Sequence, residues 1–255
     1  MSITYRVESG CAELVISRPE RRNALNREMY AALAAGVQAA REDDAIHALL
    51  ITGEGRQFTA GNDLAEFVGV PSTDPDRPVV RFMRALAEFD KPVLAAVEGH
   101  AVGIGTTLLL HCDFVYLAES ARLSMPFVAL GLVPEFAASL LVPQRVGHLR
   151  AAELLMLAEP LSAARALEWG LATAVVPPGQ SLAVARATVA RLGALPLGGL
   201  RETKRLMKQA QASTVDAVMQ AELEVFGARL GGPEVREAVA AFREKRAPNF
   251  RGKTD

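Results

Sequence analysis

Glu135 is the only charged residue between Met125 and Val142. An acid in so apolar a stretch is either exposed at a turn or buried. Burial without a partner would raise its affinity for protons and make it a proton shuttle near neutral pH. Two other segments have an unusual composition for their positions. Phe58-Thr59-Ala60-Gly61-Asn62-Asp63-Leu64 and Gly99-His100-Ala101-Val102-Gly103-Ile104-Gly105-Thr106 each leave an apolar strand through small residues and enter a helix. Small residues admit a ligand close to the main chain, and helix starts carry unpaired N–H groups. Two such turns side by side would aim two backbone donors at one oxygen, as an oxyanion hole requires. Either turn alone also reads as an ordinary tight turn. Gly103-Ile104-Gly105 opens a GxGxxG pattern, but Leu108 occupies the sixth position, so nicotinamide binding is disfavoured.

The elements around these turns alternate. Two short strands, 4–9 and 11–17, open the chain, and Asn26 is placed to cap a helix over 27–42. Ala48 to Thr52, Pro92 to Val97 and Phe114 to Ala118 are continuous apolar runs of the kind buried parallel strands show. The segment 71–78, with three prolines and three charges, reads as a mobile loop, and 79–89 as a helix. Strand, turn and helix in repetition predict an α/β fold. Beyond Arg145 the chain turns helical, over 149–157, 162–169, 182–192, 198–209, 214–230 and 233–245, with Ser162 and Thr214 as N-caps. The Gly231-Gly232-Pro233 break suggests that the end packs apart from the core or against another subunit. A division into 1–195 and a helical 196–255 follows.

Composition narrows the function. The 255 residues include 28 Lys or Arg and 29 Asp or Glu, a formal charge of −1, so the basic excess that nucleic acid or a membrane surface demands is missing. Half the residues are hydrophobic, which excludes a disordered chain. Cys11 and Cys112 are far apart and lack metal-ligand spacing, so two buried thiols in a cytoplasmic protein, with no metal, are expected. No apolar run is long enough to span a membrane.

The motifs together resemble the crotonase, or enoyl-CoA hydratase/isomerase, superfamily, over roughly Ile3 to Lys245. They are Arg18-Pro19, Asn23-Ala24-Leu25-Asn26, the 58–64 turn, Lys91-Pro92-Val93 with 99–105, Cys112-Asp113, Gly131-Leu132-Val133-Pro134, Leu161-Ser162 and Trp169-Gly170-Leu171. The resemblance implies a crotonase-like spiral of ββα turns with a helical C-terminal region used for trimerisation, as a homotrimer or dimer of trimers. It implies that the backbone N–H groups of Asn62 and Ile104 form the oxyanion hole for an acyl-CoA thioester, with Ala24, Leu25, Ala60, Asp63 and Leu64 along the CoA. The acyl-CoA is then the substrate, and no cofactor is needed.

The departures set the expected reaction. Hydratases of this superfamily use two glutamates, at positions that here hold Thr107 and Phe127. Glu135 instead follows Leu132-Val133-Pro134, as in peroxisomal-type Δ3,Δ2-enoyl-CoA isomerases; bacterial ring-opening-pathway isomerases carry aspartate there. The resemblance thus implies a 3-enoyl-CoA to trans-2-enoyl-CoA isomerase with Glu135 as the one proton carrier and Phe127, Leu132 and Phe136 as pocket walls. Alternatives are isomerisation of a cyclic or aromatic-derived acyl-CoA, hydration, and acyl-CoA binding without turnover. RNA binding is disfavoured by the neutral balance. His111 is read as a cation-friendly helix cap, Asp113 as structural, and Arg201, Lys204, Arg205 and Lys208 as a solvated basic face.

Overall fold

The computed structural model describes residues 2–64 and 76–252. Most of the expected 71–78 loop therefore lies outside the described residues. In chain order the elements are β1 (Ile3–Glu8), β2 (Cys11–Ile16), α1 (Arg27–Glu42), β3 (Ala48–Gly53), α2 (Pro78–Ala87), β4 (Val93–Val97), β5 (His100–Val102), α3 (Ile104–Thr107), β6 (Phe114–Ala118) and β7 (Arg122–Ser124). They continue with α4 (Ala138–Val146), α5 (His148–Leu155), β8 (Leu161–Ser162), α6 (Ala163–Glu168), β9 (Ala174–Val176), α7 (Ser181–Gly193), α8 (Leu197–Gln209), α9 (Ala212–Arg229) and α10 (Pro233–Glu244).

The larger sheet runs β1-β2-β3-β4-β6-β9, antiparallel only between β1 and β2. The apolar runs become its central strands because both faces are covered. Leu49, Ile51, Val93, Ala95, Val115 and Leu117 face the main core under α1 and α2. Their alternates Ala48, Leu50, Leu94, Ala96 and Tyr116 face Ala185, Val189 and Leu192 of α7. A second sheet, β5-β7-β8, stands at the far end of the strands. Within the turn expected at 99–105, His100–Val102 form β5, Gly103 makes the turn and Ile104 opens α3.

Helix starts follow their caps. The Asn26 side chain accepts from Met29 N at 2.9 Å, and Ser162 Oγ accepts from Arg165 N at 3.3 Å. Thr214 does not cap: α9 already begins at Ala212, with Gln211 at the cap position. The C-terminal helices share the main core, through Met219, Phe226 and Leu230 at α9 and Val235 and Val239 of α10. Cys11 and Cys112 are free and buried, and burial pushes both thiols up to about 12. Among the described residues no helix is long and apolar enough to cross a membrane.

Candidate active site

Three turns are tied together by backbone bonds. Thr59 N donates to His100 O at 2.9 Å and Val102 N to Thr59 O at 3.0 Å, which sets the 58–64 turn alongside β5. Leu25 N donates to Gly61 O at 2.8 Å and Asp63 N to Leu25 O at 2.9 Å, which joins the Asn23–Asn26 turn to the same edge. Asn23, fully buried, holds the assembly internally: its Nδ2 donates to Glu54 O and Gln57 O, both at 2.9 Å, and its Oδ1 accepts from Arg18 N at 2.8 Å.

Glycine is required where the turns meet. Gly61 (φ +83°) and Gly103 (φ +56°) precede Asn62 and Ile104. A Cβ on Gly61 would stand 2.6 Å from Val102 O. Gly105, in α3, would likewise place a Cβ 2.5 Å from Thr59 Cγ2, so only glycine lets α3 pack against the first turn. Among the described residues, the N–H groups of Asn62 and Ile104 donate to no acceptor in these turns. The Asn62 side chain accepts a short hydrogen bond from the hydroxyl of Tyr30 on α1.

Of the remaining residues picked from the sequence, Ala24, Leu25, Ala60, Asp63 and Leu64 belong to these turns and Phe127 borders one of them. Ala24, Ala60, Asp63 and Leu64 are half-buried and Leu25 is buried. The Asp63 carboxylate pairs with Arg18 Nη1 at 2.9 Å, and the same nitrogen donates to Ala24 O at 3.1 Å. Phe127 lies beside Gly103, where a Cβ would meet its ring edge at 3.9 Å, and its ring meets that of Phe226 edge-on at 6.5 Å. Leu132 is buried. Phe136 is fully buried, stacked on His111 at 3.8 Å and edge-on to Phe82 at 6.4 Å.

Glu135 is buried, only 3% exposed, and its Oε1 has no hydrogen-bond partner among the described residues. Burial first, and the Glu222 carboxylate second, push its carboxyl up to about 8, against an opposing pull from Arg77. The Tyr30 phenol is raised by its own burial and then by Glu135, so Glu135 and the first turn converge on α1. Glu135 is delivered by an unusual elbow in which both Phe136 (φ +63°) and Ala137 (φ +56°) are left-handed. Non-glycine residues rarely adopt that conformation, and such strain gathers at functional sites.

His111 departs from the role expected of it. It is no cationic cap: it is buried, burial lowers it to about 3, and its neutral ring donates from Nε2 to Phe136 O at 2.8 Å. The basic face of α8 is only partly solvated. Lys204 is buried, donating to Asp113 Oδ2 and Lys91 O, both at 2.7 Å, while Lys208 donates to Ala87 O at 3.1 Å. Asp113, which also accepts from Val93 N at 2.8 Å, is structural as expected. Glu222 and Tyr30 were not picked out from the sequence. Glu222 stands three residues after Met219 and four before Phe226, on the buried face of α9, and that spacing was the available signal.

The Glu135 burial has a consequence for folding. An unfolded glutamate loses its proton near about 4.3, whereas the folded chain holds it to about 8. Between those values the folded state binds more protons, so stability falls as pH rises through that window and levels off above it. Glu135→Gln, which cannot ionise, is therefore expected to gain stability over the parent at about pH 9, by on the order of a few kcal/mol, and little at about pH 5. Thermal unfolding at both pH values checks this. An equal difference at the two would show that Glu135 holds no proton in the folded chain.

Known proteins resemble this chain in sequence and fold. The sequence profile described as enoyl-CoA hydratase/isomerase matches residues 6–253. The chain is 40% identical over 261 residues to the 1,2-epoxyphenylacetyl-CoA isomerase of Escherichia coli (strain K12), covering 98% of each chain. It is 32% identical to the crotonyl-CoA hydratase of Syntrophomonas wolfei, over 98% of this chain and 97% of the other. Among solved structures, OdaA of Pseudomonas aeruginosa superposes with a TM-score of 0.93 at 46% identity, covering 94% of this chain and 98% of that one.

Proposed function

The chain belongs to the enoyl-CoA hydratase/isomerase family, and within it we propose an isomerase that converts a 3-enoyl-CoA into the trans-2-enoyl-CoA. One observation carries this reading. The elbow presents a buried carboxylate, Glu135, with an oxygen that no described residue hydrogen-bonds. The positions of the hydratase glutamates hold Thr107 and Phe127, and neither can deprotonate a water.

Glu135, ionised, removes a proton from C2. The electron pair moves into the thioester, and the dienolate oxygen is held by the N–H groups of Asn62 and Ile104. Glu135 then returns the proton at C4. Main-chain donors suit this work because they are fixed before the charge develops. Phe127 and Leu132 wall the pocket and keep it dry, with Phe136 packed behind, so that proton affinity stays high enough for both transfers. Ala24, Leu25, Ala60, Asp63 and Leu64 flank the CoA, with Arg18 holding Asp63 in place. The acyl-CoA is the substrate, and no separate cofactor takes part.

A second reading, isomerisation of a ring-derived acyl-CoA, is favoured by the name of the Escherichia coli relative. The two separate on substrate: 3-hexenoyl-CoA and 1,2-epoxyphenylacetyl-CoA are each incubated with the protein and the products identified. Turnover of the first supports the proposal; turnover of the second alone supports the ring reading. Since the base works ionised, kcat/KM for 3-hexenoyl-CoA is expected to rise with pH and level off above about 8. A profile already flat at acidic pH would contradict a shuttle of raised proton affinity.

A further inference from the structure

Helix α4 begins without a capping side chain, because Ala137 stands at its cap position. The first N–H groups of any helix need acceptors when buried. Here they find one far along the chain: Ala137 N donates to Glu222 Oε2 at 2.6 Å and Ser139 N to Glu222 Oε1 at 2.8 Å. Glu222 is itself buried, 7% exposed, on the core face of α9. A carboxylate committed to that environment is costly unless its oxygens are occupied, and both are.

The geometry points to Glu222 as a positioning residue for the proposed isomerisation. Its carboxylate accepts from the N–H of Ala137, inside the left-handed pair Phe136–Ala137, and from that of Ser139 just beyond it, so that the backbone next to Glu135 is held in place. When ionised it presents Glu135 with a negative neighbour, although burial raises its own carboxyl as well. The proposal rests on Glu135 being the proton carrier.

The elbow is held from two sides. His111 fixes the Phe136 carbonyl from one, and Glu222 fixes the next amide from the other. Between these clamps the strained residues have little freedom to relax, and strain of this kind persists only where its surroundings over-determine it. The charge of Glu222 has a second effect, since a nearby like charge favours the protonated form of Glu135. Among the described residues, the other titratable or charged groups that act on Glu135 are Tyr30 from α1 and Arg77 at the start of α2, with the neutral His111 behind Phe136. Arg77 acts oppositely, so Glu222 is the carboxylate that keeps the shuttle from being too weak a base.

Two variants test the two effects. Glu222→Gln removes the charge and keeps an acceptor for one N–H; Glu222→Ala removes both acceptors. Each is compared with the parent by thermal unfolding, by kcat and KM for 3-hexenoyl-CoA across pH, and by infrared titration of the buried carboxyl band that Glu135→Gln abolishes. Glu222→Gln is expected to stay folded, keep KM within about twofold, and move the Glu135 midpoint down by about one pH unit. Glu222→Ala, if folded, is expected to lower kcat by about ten- to a hundredfold with KM little changed, as a misplaced catalytic group does. An unmoved midpoint in Glu222→Gln, by both infrared and kinetics, overturns the proposal even if Glu222→Ala fails to fold. Failure of the underlying reading looks different: Glu135→Gln would then turn over like the parent, whatever the Glu222 variants do.

Discussion

Replacing Glu135 by glutamine is expected to lower kcat for 3-hexenoyl-CoA by about a thousandfold, within the range that a positioned proton carrier contributes. KM should stay within a few-fold. The substitution keeps the shape of the side chain, so the left-handed elbow at Phe136 and Ala137 and its two clamps are undisturbed. What is lost is a group able to take a proton and give it back. Among the described residues no neighbour is placed to replace it: Glu222 spends its oxygens on Ala137 and Ser139, and Thr107 and Phe127 hold no proton acceptor of comparable strength. Glu135→Asp retains the chemistry but withdraws the carboxylate by one methylene, and it should keep an intermediate activity. Steady-state kinetics on the three proteins checks both expectations, and near-parental turnover by Glu135→Gln would remove the shuttle from the mechanism.

Gly61→Ala is expected to cost about a hundred- to a thousandfold in kcat, the usual consequence of losing an oxyanion donor. The cause is steric and conformational together. Residue 61 sits at φ +83°, which L side chains seldom adopt, and the added methyl would stand 2.6 Å from Val102 O. Relief requires one backbone segment to move. Asn62 follows the first segment, and Gly103 and Ile104 follow the second, so either movement disturbs a donor. Gly55→Ala provides the control. Gly55 is also left-handed, at +72°, but its Cβ would meet only Pro19 Cβ at 3.6 Å. That variant should lose some stability to backbone strain and keep its turnover. Equal turnover in the two variants would mean that the 61–62 turn does not hold the reacting oxygen.

Some of this site was legible in the sequence for physical reasons. A lone acid in an apolar stretch drew attention to Glu135 but left an exposed turn and a buried carboxyl equally open, and the family motifs pointed to the second; the structure buries it. Continuous apolar runs had to be strands covered on both faces, and Asn26 had to be a cap. Other parts were hidden. Strands β5, β7 and β8 have two or three residues each, too short for any alternation to show. Helix α4 contains Pro143, which conceals it from a reading of helical pattern. The burial of His111, Lys204 and Glu222 depends on partners 25 to 113 positions away, at Phe136, Lys91, Asp113 and Ala137. Local composition carries no trace of those contacts. Glu222 in particular sits two residues from Glu224, and only its spacing to Met219 and Phe226 separates the buried acid from the exposed one.

The central claim is that one carboxylate opposite a two-donor hole moves a double bond and does not add water. Separate incubations with 3-hexenoyl-CoA and trans-2-hexenoyl-CoA, with all products resolved by chromatography, test it most directly. The two thioesters are expected to interconvert, with no 3-hydroxyhexanoyl-CoA formed. Accumulation of 3-hydroxyhexanoyl-CoA from the 2-enoyl substrate, with the 3-enoyl substrate left unchanged, would contradict it.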